Sequence, residues 1–320
     1  MPLSYIFNST VSQNLIPSQW KLANVTALFK KGDPNSCKNY RPISLTCVAS
    51  RICESIIADK IKEHIADKIC SVQHGFTAKK STVTQLFETY ENWVDLIDNC
   101  QCIDVVFIDF AKAFDSVSHK KLISKLSEYG IRGNLLNWIE QFLKDRKQQV
   151  VVDGECSNVG DVISGVPQGS VLGPLLFLIY INDLYPNLKE LCDISLFADD
   201  CKLFINYNSK NQVARSLLLQ KALDKLALWA NISQLSIQPD KCAVLHICYK
   251  NVKHQYSLNG QAIPPTESFK DLGVHMTPDL KFNSHILKIV QSASRTANLI
   301  LRTFKTKKPA FMVKNVQYFC

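Results

Sequence analysis

Three aspartates in two short apolar segments are the residues of this chain best suited to chemistry. Asp199 and Asp200 interrupt the run Ser195-Leu196-Phe197-Ala198-Asp199-Asp200-Cys201-Lys202-Leu203-Phe204-Ile205. Bounded, β-rich runs of this kind predict a hairpin, here with the acids at its tip. Two unpaired carboxylates held side by side repel by about 4 kcal/mol at 4 Å and an effective dielectric near 20, so a fold that fixes them there calls for a cation. Chance alone supplies about one Asp-Asp pair in a chain of ordinary composition, so the pair gains its weight from what lies upstream. There, Val106-Phe107-Ile108 leads straight into Asp109, and the following Ala111-Lys112-Ala113-Phe114-Asp115 turns toward a helix. A third carboxylate delivered to the same sheet edge would complete an oxygen cage for two divalent ions. Mg²⁺ favours octahedral oxygen ligation, and two such ions about 3.5–4 Å apart can clamp the attacking and leaving oxygens of a phosphoryl transfer.

Between the acidic segments lies Gly165-Val166-Pro167-Gln168-Gly169-Ser170. Its glycines permit unusual backbone angles and close approach to a ligand, and they equally suit a tight structural loop. The elements that must position these groups are legible from periodicity. Ile57, Ile61, Ile65 and Ile69 recur every fourth residue. Val83, Leu86, Tyr90, Trp93 and Ile97 alternate steps of three and four, as do Leu135, Trp138 and Phe142, then Leu219, Leu223, Leu226 and Ala230. Each set predicts an amphipathic helix with one buried face, and the aromatic members read as core. A last helix is predicted through Ile286, Ile289, Ala293, Ala297, Ile300 and Phe304, capped near Asn283-Ser284. Strands are predicted at 103–109, 147–152, 194–198, 201–206, 242–249 and 268–274. Helices and strands mix without a regular βαβ repeat, which predicts an α+β fold on a largely antiparallel sheet.

The 320 residues suffice for two or three subdomains, and 46% hydrophobic against 20% charged residues excludes a disordered chain. The net charge of +9 suits a polyanionic partner. Lys30-Lys31, Lys79-Lys80, Lys120-Lys121 and the run Arg302 to Lys308 could track phosphates, although any single pair reads as solvated surface. None of the twelve cysteines is spaced C-x-x-C, which predicts reduced, mostly buried thiols in an intracellular protein that is not secreted. Residues 163–182 lack charge, but Gly165, Pro167, Gly169, Gly173 and Pro174 break the first half. The continuous apolar run from Leu175 to Ile181 falls far short of the roughly 20 residues of a membrane span, so no membrane partner is expected.

Taken in order, these segments resemble the reverse transcriptases of non-LTR (LINE-type, jockey-like) retrotransposons. The resemblance runs along nearly the whole chain, through Ile16-Pro17-Ser18-Gln19-Trp20-Lys21, Leu28-Phe29-Lys30-Lys31-Gly32-Asp33 and Asn39-Tyr40-Arg41-Pro42-Ile43-Ser44-Leu45. It continues through Gln73-His74-Gly75-Phe76, Phe107-Ile108-Asp109-Phe110-Ala111-Lys112-Ala113-Phe114-Asp115, the Gly165 to Ser170 loop and Phe197-Ala198-Asp199-Asp200. Gln238-Pro239-Asp240-Lys241-Cys242 and Leu272-Gly273-Val274 close the series.

The resemblance implies a right-hand polymerase: fingers over 1–100, a palm over 101–275 with a helical insertion near 118–146, and a partial helical thumb over 276–320, cut short at Cys320. It implies RNA-directed DNA synthesis from dNTPs on an RNA template and a DNA primer. Asp109, Asp199, Asp200 and the Phe110 carbonyl are then the ligands of two Mg²⁺ ions, for which Mn²⁺ can substitute. Lys30, Lys31 and Arg41 would hold the triphosphate, and Phe114 would sit under the sugar and exclude a 2′-hydroxyl. Gln168 and Gly169 would contact nucleotide or template, Lys241 would assist the leaving pyrophosphate, and Asp115 would order the turn rather than bind metal. The family also implies an endonuclease before the polymerase and a Cys/His module after it in a full-length element protein. Neither lies within these residues, so the alternative expectation is a fragment that binds nucleic acid or protein without polymerising.

Overall fold

Cys102–Ile108 is the strand around which the molecule is built, because all seven of its residues are buried. A strand covered on both faces must be apolar throughout, and Ile103, Val105, Val106, Phe107 and Ile108 satisfy this. The computed structural model describes residues 2–303. Ahead of the central strand come α1 (Pro2–Gln13), α2 (Ser18–Lys21), β1 (Leu22–Phe29), β2 (Tyr40–Leu45), α3 (Val48–Ile65) and α4 (Thr82–Asp98). The central strand is β3 (Cys102–Ile108), followed by α5 (His119–Glu128), α6 (Gly133–Leu143), β4 (Arg146–Val152), β5 (Glu155–Cys156) and β6 (Gly160–Val162). Then come α7 (Leu172–Ile181), α8 (Leu184–Leu188), β7 (Asp193–Phe197), β8 (Asp200–Tyr207), α9 (Gln212–Ile232) and β9 (Ala243–Ile247). The short strands β10 (Ser257–Leu258), β11 (Gln261–Ala262), β12 (Pro265–Thr266), β13 (Phe269–Asp271) and β14 (Val274–Met276) precede α10 (Asn283–Thr303).

The main sheet runs β12-β9-β3-β8-β7, antiparallel except for the β12–β9 pair. Side-chain alternation along β3 divides its packing between two cores. Val106 and Ile108 face a large cluster with α3, α5, α6, α7 and α9, whereas Ile103, Val105 and Phe107 face a smaller one with Trp93 of α4, Met276 and Leu280. Helix α7 has nine buried residues and therefore no polar face, and Pro174 is tolerated because it lies in the first turn. No helix among the described residues is long and apolar enough to cross a membrane. A second sheet joins β1 to β2 antiparallel and to β4 parallel, with β5 and β6 added to β4.

Strand β3 itself carries one buried charge. Asp104 is fully buried and accepts hydrogen bonds from His246 Nδ1 at 2.7 Å, Asn251 Nδ2 at 2.9 Å, Tyr207 OH at 3.2 Å and Tyr256 OH at 2.5 Å. Burial alone would raise its pKa, but the bonds from His246, Tyr256 and Asn251 hold it below the usual value.

Several expectations are refined. The stretch 268–274 is not one strand but most of a hairpin, β13 and β14, turning at Leu272-Gly273 with φ of +44° and +98°. The stretch 242–249 shortens to Ala243–Ile247. Helix α3 stops at Ile65, so Ile69 reaches the core from the following turn. The thiols Cys53, Cys192, Cys201 and Cys242 are buried as expected, but Cys37, Cys100 and Cys156 are exposed. Cys102 and Cys248 are bonded to each other across β3 and β9, with Cα atoms 5.2 Å apart. Helix α10 begins at Asn283 as predicted, while Phe304 and the basic run from Phe304 to Lys308 lie outside the described residues.

Candidate active site

Strands β7 and β8 pair from Asp193↔Phe204 to Phe197↔Asp200, which leaves Ala198 and Asp199 as a two-residue turn. Ala198 sits at φ +54°, in the left-handed region that such turns require. The β3–β8 ladder ends at Ile108↔Cys201, so Asp109, which directly follows β3, and Asp200, which opens β8, emerge at the same end of the sheet, and the charge of Asp109 is felt at both Asp199 and Asp200. The hairpin predicted from sequence thus forms, with its acids at the tip and beside Asp109.

Asp199 and Asp200 are both perturbed by their surroundings. Asp199 is raised above the usual carboxylate range by burial and by Asp109, while Arg41 and Lys30 act in the opposite sense. Asp200 is pushed up to about 6 by burial, then by Asp199, Asp271 and Asp109, with Lys202 opposing. Asp200 keeps an exposed surface even though packed protein crowds its carboxyl, so solvent moderates these interactions. Among the described residues, no three His, Cys, Asp or Glu side chains are gathered tightly enough to hold an ion as they stand. Hard oxygen donors with unrelieved like charge are nonetheless the donor set that suits a divalent cation, and in that chemical sense the residues fit one.

The basic residues come from the loop between β1 and β2, which carries Lys30 and Lys31, and from β2, which carries Arg41. The Lys30 N–H donates to the Asn39 carbonyl at 2.8 Å, extending the hairpin beyond Phe29↔Tyr40. Lys30, Lys31 and Arg41 are exposed, but only Lys30 and Arg41 contribute to the field at Asp199. The Gly165 to Ser170 loop packs on the same hairpin through the Ser44 N–H, which donates to the Gln168 carbonyl at 2.7 Å. Gly169 has φ +116°, and a Cβ there would lie 2.4 Å from the Ser44 oxygen, so only glycine permits the contact. Gln168 Nε2 donates to Asp115 Oδ1 at 3.0 Å, tying the loop to the segment after β3, and Asp115 orders that turn.

Phe114 is half-buried, stacked on Phe177 with ring centroids 4.3 Å apart and edge-on to Phe76 at 6.3 Å. Phe110 is buried against the edge of Trp229. Lys241 is exposed in a short turn, Pro239–Lys241, whose leading residue Gln238 donates its N–H to the Asp109 carbonyl at 2.9 Å. The Asp109 N–H in turn points at Cys242 Sγ, 3.5 Å away.

Two supports of the site escaped the sequence reading. Glu54, fully buried in α3, accepts the N–H groups of Val171 and Leu172 at 2.8 and 3.2 Å and the Ser50 hydroxyl at 2.9 Å. It anchors the N-terminus of α7 and so the loop that ends in Ser170. Its signal was a charged residue three positions before Ile57, on the apolar stripe of α3. The second support is the buried pair Lys202–Asp271 at 2.5 Å, which ties β13 to β8 two residues beyond Asp200. A cavity of about 80 Å³ lined by Asp200, Lys202, Asp271, Gln85 and Phe269 lies there. No local signal pairs these two residues, because 69 positions separate them.

The family described as "Reverse transcriptase (RNA-dependent DNA polymerase)" matches residues 29–276. The chain is 31% identical over 304 residues to the probable RNA-directed DNA polymerase from transposon BS of Drosophila melanogaster, covering 89% of this chain and 32% of that protein. It is 31% identical over 306 residues to the RNA-directed DNA polymerase from mobile element jockey of the same species, covering 92% and 33%. It therefore spans about a third of the length of the curated relatives it matches. Among solved structures, apo telomerase from Candida tropicalis truncated from its C-terminal domain superposes with a TM-score of 0.53 at 9% identity, over 88% of this chain and 59% of that one. The longer apo telomerase of that organism gives 0.51 at 11% identity, over 88% and 53%. At these identities the likeness concerns the fold, which is that of the right-hand polymerases.

Proposed function

The chain belongs to the reverse transcriptase family, with relatives among non-LTR retrotransposon polymerases, and we propose that it extends a DNA primer along an RNA template from dNTPs. The observation that carries this reading is the emergence of Asp109 and Asp200 at the same end of the sheet, with Asp199 on the adjoining turn and their like charge left unrelieved. The carboxylates of Asp109, Asp199 and Asp200, with the Phe110 carbonyl, would hold two Mg²⁺ ions, or Mn²⁺ in their place. Bound there, the ions would supply charge neutralisation at the attacking and leaving oxygens.

The chain's own residues would do the remainder. Arg41 and Lys30 face the acids across the cleft and would bind the triphosphate through charge-assisted hydrogen bonds, with Lys31 beside them on the loop. Gln168 and Gly169 would line the nucleotide or template, and the Phe114 ring would exclude a 2′-hydroxyl. Lys241, on the turn bonded to the Asp109 carbonyl, would donate a proton to the departing pyrophosphate. In this reading residues 1–100 serve as fingers, 101–275 as palm and 276 onward as the start of the thumb.

The test is extension of a primed RNA template with dNTPs and Mg²⁺. Asp109→Asn and Asp199→Asn should each cost at least about 10²–10³ in rate, as loss of a transition-state charge partner does. Full extension by either variant overturns the assignment. Salt-dependent RNA binding by a wild-type chain that extends nothing would favour the non-polymerising fragment.

A further inference from the structure

The turn that carries Asp199 is gripped from outside the sheet by a segment far upstream in the chain. The Leu196 N–H donates to the Val72 carbonyl at 3.1 Å, and the His74 N–H donates to the Leu196 carbonyl at 2.9 Å. Gln73 thus bridges Leu196 in parallel and closes the free edge of β7, the terminal strand of the main sheet. The segment is itself held in place. Lys80 Nζ donates to the carbonyls of Ser71 and Gln73, and the His74 ring lies between Thr84 Oγ1 at 2.9 Å and Glu88 Oε2 at 3.1 Å on α4. At Gly75 a Cβ would fall 2.2 Å from the Ala198 nitrogen, so glycine alone allows this approach.

The side chain of Gln73 completes the grip. It is 2% exposed, and its Oε1 accepts the Ala198 N–H at 2.9 Å and the Gly75 N–H at 2.8 Å. Both partners are donors, which fixes the amide with its oxygen toward them. Nε2 is buried and has no partner, which is unfavourable. A methionine of similar length would fill the space without that penalty, so what distinguishes the amide is the bond its oxygen makes to the turn. Ala198 needs such a partner, because a residue with a Cβ disfavours the φ of +54° that the turn imposes.

We propose that Gln73 is a positioning residue, whose side-chain carbonyl locks the Ala198-Asp199 turn and so sets the acids for cation binding and phosphoryl transfer. This rests on the function proposed above but is tested apart from it. In Gln73→Met the exchange of the Ala198 amide should quicken about tenfold, as expected for a lost hydrogen bond to that group, and the melting temperature should fall by only a few degrees, because removal of the unpartnered Nε2 offsets part of the loss at the Ala198 and Gly75 N–H groups. Mn²⁺ affinity, read from the electron spin resonance of free Mn²⁺, should weaken several-fold. In primer extension kcat should fall about tenfold with KM for dNTP little changed, the pattern of a lost transition-state interaction. Gln73→Glu, which retains an acceptor oxygen, should keep the Ala198 amide protected. An Ala198 amide as protected in Gln73→Met as in the wild type, or unchanged Mn²⁺ affinity, would overturn the proposal. A wild-type chain that extends no primer would refute polymerisation, yet the exchange and Mn²⁺ measurements would still decide the role of Gln73.

Discussion

Asp200 carries a carboxyl whose pKa rises from 3.8 to about 6, through burial first and then the charges of Asp199, Asp271 and Asp109. The folded state therefore binds this proton more tightly than the unfolded chain does. The contribution of this group to stability is fully present below about pH 3.8, declines as pH rises through about 6, and is constant above. Asp200→Asn removes the charge, so its melting temperature should exceed that of the wild type at pH 7.5, and the advantage should vanish toward pH 4. Thermal melts in chelator across that range check the sign, and a constant difference would show that the charge is not the cause. The same proton competes with a cation for the carboxylate, so Mn²⁺ affinity of the wild type should fall below about pH 6. At this scale the sequence reading located the reactive groups because Asp109, Asp199 and Asp200 stand in recognisable local runs. Gln73 was visible only as part of Gln73-His74-Gly75-Phe76, and its partner Ala198 could not be inferred from that run.

Among the elements, the β13–β14 hairpin depends on one ionic tie to the main sheet. Lys202 and Asp271 have side chains only 3% and 7% exposed, so neither charge has water to fall back on. Lys202→Met should destabilise the fold by about 3–5 kcal/mol, because it leaves Asp271 buried and unpaired near Asp200. Adding Asp271→Leu should recover most of that loss, since an apolar pair of similar volume replaces an ion pair at little net cost. Urea unfolding of the two single variants and the double variant measures the coupling, and additive losses would deny it. The helices were the most legible elements, as Trp93 and Trp138 show: each lies on a stripe of three-and-four spacing and each is fully buried. Strand β1 was missed because its burial pattern alternates only through Val25 and then lies open. Its partner β4 arrives from far along the chain, and no local pattern encodes that pairing.

Over the whole molecule, the charge of +9 and the exposed Lys30, Lys31 and Arg41 would make primer–template binding, under the proposed function, an electrostatic event. Its affinity should weaken about ten- to a hundredfold between 50 and 200 mM salt, as expected when a few phosphate counterions are released. A titration of labelled primer–template at several salt concentrations gives the slope, and a flat line would mean that these bases do not meet phosphates. The cations come from the sheet of β1 and β2 and the carboxylates from the sheet of β3, β7 and β8, and the two sets are near enough for Arg41 and Lys30 to act on Asp199.

Read alone, the amino-acid order determined the helices, the acidic hairpin, the α+β class and the family resemblance, because each is written in neighbouring residues or in a period of two or 3.6. Only the folded chain decided how distant pieces meet: Asp109 near Asp200, Glu54 beneath α7, Lys202 against Asp271, and the Gln73 amide on the turn. Contacts of this kind form when separate elements share a core. Burial then obliges each polar group to find whatever partner the packing places beside it.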